Sequence, residues 1–172
     1  LKEVFFVTNL LVFLGLIGCK AVLSPQPIVQ QVKEHASEKQ PKGKTPEIKI
    51  LADDWGDGQP EDILAVLSSV AEIIFPLGGK PPYDSIWVSR SEQGPIVLYQ
   101  RGKDGEYMVK LNTQDRYWCQ YAFQFSHEIG HILCDYRHGD SSNLWFEETL
   151  GEVASLYTLL RLEESWMQSP PY

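Results

Sequence analysis

Two histidines stand four residues apart in His127-Glu128-Ile129-Gly130-His131, inside a stretch whose apolar spacing predicts a helix from about Tyr117 to Tyr136. On a helix that spacing is one turn, so both imidazoles lie on one face and can reach a single tetrahedral Zn²⁺. Glu128 sits beside them, placed to take a proton from a water that the metal activates. A helix with two such ligands cannot finish the site alone. Zinc needs a third protein ligand, leaving a fourth position for water. With only four His in 172 residues, a chance pairing of this kind around a Glu is rare.

The chain before and after the motif reads as a series of short strands and helices. Ile48–Leu51 reads as a short strand, closed by Asp53, Asp54, Gly56, Asp57 and Gly58. Pro60 opens a helix with Ile63, Leu64, Val66, Leu67, Val70, Ala71, Ile73 and Ile74 on its apolar face, stopped by Pro76 and Gly78-Gly79. Ile86–Ser89, Ile96–Gln100 and Tyr107–Leu111 read as strands. The last two are joined by Gly102-Lys103-Asp104-Gly105, which predicts a hairpin. A final helix is expected from about Leu144 to Met167. One strand, a helix, a small and mostly antiparallel sheet and two late helices make an α+β arrangement.

From the hairpin to the last helix the chain resembles the zincin metallopeptidases, on the strength of the His127-Glu128-Ile129-Gly130-His131 motif. The gluzincin branch of that family takes its third ligand from a Glu on a following helix, with an acidic residue one turn later. The resemblance implies Glu148 as that ligand, because Glu152 stands at i+4 on the same face, whereas Glu147 would put Gly151 there. It implies Glu152 as the carboxylate that orients a ligand histidine and raises its basicity. The metzincin pattern does not fit, since Arg137 stands where its third His would be. The fold implied is zincin-like, with an upstream helix, an active-site helix and a C-terminal glutamate helix. The activity implied is hydrolysis of peptide bonds in a peptide or protein substrate, with Glu128 as general base and an extended substrate added along the edge strand Ile96–Gln100.

Other residues near the motif invite lesser roles. His138, just past the helix, could donate to a tetrahedral intermediate or serve only as a cation at a helix C-terminus. Tyr157 lies half a turn from Glu148 and is expected to pack in the core with Val153 and Leu160. Cys119 and Cys134 are fifteen residues apart on one helix, about 22 Å at 1.5 Å per residue, so they cannot pair. Cys134 is expected to pack under the site, or less simply to act as a fourth ligand that closes it.

The start of the chain carries a different signal. Lys2 precedes an apolar run, Val4 to Ile17, too short for a membrane span that needs about 20 apolar residues. Leu16-Ile17-Gly18-Cys19 resembles the bacterial lipobox, which implies a signal peptide over residues 1–18 and lipidation of Cys19. Residues 19–46, with Pro25, Pro27, Pro41 and Pro46, read as a lipid-bearing flexible linker, and residues 47–172 as the folded domain. Residues 20–46 carry five Lys against two Glu, and residues 47–172 carry nine basic against twenty acidic side chains. With a net charge of -8 overall, nothing supplies the basic field that a nucleic-acid partner requires. The expected location is the bacterial cell envelope, with Lys20 rather than Asp after the lipidated Cys favouring the outer membrane facing the periplasm. Two functions are compatible with all this: a membrane-anchored zinc peptidase, or a non-catalytic envelope lipoprotein whose structural zinc site serves binding of a protein partner.

Overall fold

Pro60 pre-sets the first helical turn, and Glu61 and Asp62 follow it, where acidic charge complements the exposed N–H groups. From there Ile63, Val66, Leu67, Val70, Ala71 and Ile74 recur at helical spacing and are all buried, so the helix α1 (Pro60–Ile74) is anchored along one face. In the computed structural model, residues 45–78, 83–135 and 142–169 are described. The remaining elements are β1 (Ile48–Ile50), a 3₁₀ turn (Phe75–Leu77), β2 (Ile86–Arg90), β3 (Ile96–Val97), β4 (Tyr107–Leu111), α2 (Trp118–Leu133) and α3 (Leu144–Gln168). The fold is mixed α+β, with three helices and one four-stranded sheet among the described residues. Among them no helix is long and apolar enough to cross a membrane. The signal segment, Cys19 and the linker up to residue 44 lie outside the described residues, as does His138.

The sheet order is β1-β2-β4-β3, and this corrects the mostly antiparallel sheet expected from the strand pattern. β1 pairs parallel with β2 and β2 parallel with β4, leaving β3–β4 as the antiparallel pair. The physical reason is the connection through α1, which carries the chain from the end of β1 back to its start before β2 begins, as a parallel neighbour requires. The hairpin forms as its turn residues predict. Gly102 N–H donates to Glu106 C=O at 2.9 Å, and Gly105 takes a φ of 92° that glycine reaches without strain. The hairpin sends β3 to the rim and returns β4 to the middle.

Side-chain alternation gives the sheet one buried face. Ile86 and Val88 of β2, Val97 of β3, and Val109 and Leu111 of β4 point into a core shared with α1 and with Tyr121, Phe125 and Ile129 of α2. Burying each such side chain contributes about 1.5–3 kcal/mol. α2 is thereby fixed against the sheet on one side, and α3 packs along it on the other.

Candidate metal centre

Small residues let α2 and α3 approach closely. Gly130 of α2 lies so near Gly151 of α3 that a Cβ at 130 would stand 3.0 Å from the Gly151 Cα. Ser155, fully buried one turn later on α3, donates its hydroxyl to the Phe123 C=O of α2 at 2.8 Å. A glycine inside a helix is destabilising by roughly 0.5–1 kcal/mol relative to Ala, and here both glycines sit at one crossing where larger side chains would hold the helices apart. Gly151 has a second neighbour. A Cβ there would fall 2.8–2.9 Å from three atoms of the His127 ring, so the imidazole packs flat on the bare backbone of α3.

That crossing brings three of the residues singled out by sequence together. His127 Nε2 lies 3.2 Å from Glu148 Oε2, and His131 Nε2 lies 3.7 Å from Glu148 Oε1. Ligating atoms of His127, His131 and Glu148 all fall within 4.8 Å of one another, so the group could hold a metal ion. Tetrahedral zinc with bonds of about 2.0–2.1 Å separates its ligand atoms by about 3.3–3.4 Å, near the 3.2 Å between His127 Nε2 and Glu148 Oε2, whereas His131 stands against the other carboxylate oxygen and must draw in to share one ion. The donor set therefore fits a divalent transition metal with imidazole and carboxylate ligands. Glu148 is 58% exposed while the side chains of His127 and His131 are 14% and 7% exposed, so the carboxylate forms the solvent-side rim by which an ion would enter.

The surroundings favour the lone-pair form of at least one imidazole. Burial pulls the pKa of His131 below its usual value, with the neighbouring His127 acting in the same direction and Glu148 against it. Glu152 Oε1 faces His127 Nδ1 at 3.9 Å, on the opposite side of the ring from Glu148, just beyond hydrogen-bond range. Glu147, half-buried one residue before Glu148, is felt at His131 only as a charge and lies outside the ligand group. Replacing Glu148 with Ala should abolish metal uptake and Glu147→Ala should not, as metal analysis of the purified variants would show. Glu152→Ala should weaken the metal about 10–100-fold, read by chelator competition.

Glu128 is the buried acid of the site, 3% exposed. Its Oε2 accepts the Val97 N–H of β3 at 2.6 Å. Burial pushes its pKa up to about 7, the Val97 N–H pulls against this, and the charge of Glu148 adds to it. Such a carboxyl favours the folded state when protonated: its stabilisation is complete below the ordinary value near 4.5 and is lost as pH rises through 7. For the metal-free protein the loss is on the order of 3 kcal/mol. Comparing denaturant unfolding of wild type and Glu128→Gln with chelator present, from pH 4.5 to 7.5, isolates it. The difference between the two should change by that amount across the range; parallel profiles would contradict it.

These groups line one cleft of about 370 Å³, walled by His127, Glu128, His131, Glu148 and Glu152, with Pro95, Ile96, Phe123 and Gln124 completing it. β3 is an edge strand of the sheet, the position expected of Ile96–Gln100, although the strand itself is shorter and ends at Val97, and its Ile96 lines the cleft. Cys134 is a correction: it is exposed at the end of α2, neither packed under the site nor within the ligand group, because the helix ends there and the backbone turns at Asp135 with a φ of 61°. Tyr157 packs against the core, while Val153 is exposed. Sequence reasoning missed Gly151, Ser155 and Val97. The signal for the first was present, since each of two long helical patterns carried a glycine near its acidic or histidine ligands. No family model, curated protein or solved structure matches the chain.

Proposed function

We propose that the protein is a zinc-dependent peptidase of the gluzincin type with a zincin-like fold, held at the bacterial cell envelope by a lipid on Cys19. The observation that carries this reading is Glu128, a buried carboxyl in the same cleft as the His127, His131 and Glu148 group, with one oxygen held by the Val97 N–H. A site built only to hold metal has no need of it. Bound zinc would polarise a peptide carbonyl and make a water more acidic. Glu128 would accept the proton from the attacking water and hand it to the nitrogen leaving the broken C–N bond. The products are a free carboxyl and a free amine, and Glu128 ends as it began. Glu152, 3.9 Å from His127 Nδ1, would hold the tautomer of that ring once the gap closes to a hydrogen bond, leaving Nε2 for the metal.

The rival reading is a structural zinc site in a partner-binding lipoprotein. It calls for four protein ligands, and among the described residues His127, His131 and Glu148 form a group of three with Cys134 outside it. The test is a mixed peptide library incubated with the zinc-loaded chain and with the chelated chain, read by mass spectrometry. New peptide ends with the loaded protein alone are expected. Binding of one zinc with no cleavage of any library member would favour the structural site.

A further inference from the structure

The backbone of β3 treats Glu128 in a way the motif does not foretell. In the β3–β4 ladder Ile96 faces Lys110 and Val97 faces Val109, and Leu98 N–H donates to Met108 C=O at 2.8 Å. Residues of an antiparallel pair alternate between bonding their neighbour and facing away. Leu98 therefore bonds β4, and the N–H and C=O of Val97 face the open edge. An edge N–H of this kind is where an added strand would dock. At Val97 it is already taken, by the Glu128 carboxylate at 2.6 Å, in a charge-assisted bond made out of reach of bulk water.

We propose that the Val97 amide is the positioning donor of Glu128, and that β3 consequently does not receive a peptide strand through that N–H. One carboxylate oxygen, Oε2, is held by the strand and the other is left for proton transfer. The rim of the sheet thus sets the angle of an acid that belongs to α2, and substrate must be held by other groups of the cleft. The kinetic side of this inference rests on the peptidase reading; the bond between strand and carboxylate does not.

Two variants separate the amide from the side chain. Val97→Pro removes the N–H, and proline is tolerated on an edge strand whose N–H faces outward. Val97→Ala keeps the N–H and truncates the buried side chain, so it measures what packing alone contributes. With zinc loaded in all three proteins, kcat of Val97→Pro should fall at least about tenfold below that of Val97→Ala, with KM changed little. A higher KM at unchanged kcat would mean that the N–H binds substrate, and equal loss in both variants would mean packing only; either overturns the proposal. The bond is tested without turnover by amide hydrogen exchange. Val97 should exchange slowly in the wild type and about a hundredfold faster in Glu128→Ala. Exchange unchanged in that variant overturns the proposal even if Val97→Pro does not fold. A wild type that cleaves no peptide refutes the peptidase reading, and the exchange measurement still decides the bond.

Discussion

Glu128→Gln should bind zinc as the wild type does and hydrolyse peptides about 10²–10⁴-fold more slowly, the contribution typical of a general base. Gln has the size of Glu and keeps an oxygen that can accept the Val97 N–H, so the fold around the site is preserved. What it lacks is a basic oxygen for the proton of the attacking water. The substitution also removes a buried ionisable group, so the variant should be no less stable than the wild type at neutral pH. Zinc content, thermal unfolding and initial rates on one cleaved library peptide measure the three effects separately. A variant with full zinc and an undiminished rate would remove Glu128 from the mechanism.

Gly151→Ala is expected to damage the candidate metal centre without replacing any of its proposed ligands. The new methyl would stand 2.8–2.9 Å from three ring atoms of His127, closer than carbon atoms pack. The ring must turn, or α3 must withdraw and take Glu148 with it. Overpacking of this sort amounts to about 1–3 kcal/mol. Charged against the metal-loaded geometry, that is a weakening of about 5–150-fold in zinc affinity, since 1.4 kcal/mol is a factor of ten. Ser155→Ala is the control. It removes the hydroxyl that ties α3 to the Phe123 carbonyl and should lower stability by about 1 kcal/mol while the histidine ring stays where it is. Zinc affinity by chelator competition and unfolding of the chelated proteins distinguish the two variants. If Gly151→Ala held zinc as tightly as the wild type, the contact between the His127 ring and α3 would not persist with metal bound.

Both expectations depend on a crossing of two helices that their separate sequences describe only in part. His127 and His131 share a face because a helix repeats every 3.6 residues, and that relation needs no tertiary structure. The same holds for Glu148 and Glu152 on α3, and for Pro60 at the start of α1. The hairpin of β3 and β4 was legible for the same reason: Gly102 and Gly105 bend the chain locally. Each of these readings concerns residues within a few positions of one another.

The meeting of Glu148 with the two histidines came only from the family resemblance, and the packing of the other distant segments lay beyond the sequence. β2 takes β4 as a parallel neighbour, although β3 follows it in the chain, because this register puts Ile86, Val88, Val109 and Leu111 on one buried face. Gly151 reads as a weak spot in a helix until α2 is laid across it, and then it is the place where the His127 ring rests. Val97 reads as one apolar strand residue among several. Only the sheet edge, meeting α2 beside the candidate metal ligands, joins its amide to Glu128 over a separation of 31 residues. Periodicity is a property of the local backbone and is written in the chain, whereas the distance between two faces is set by which side chains pack between them, and that is decided when the core closes.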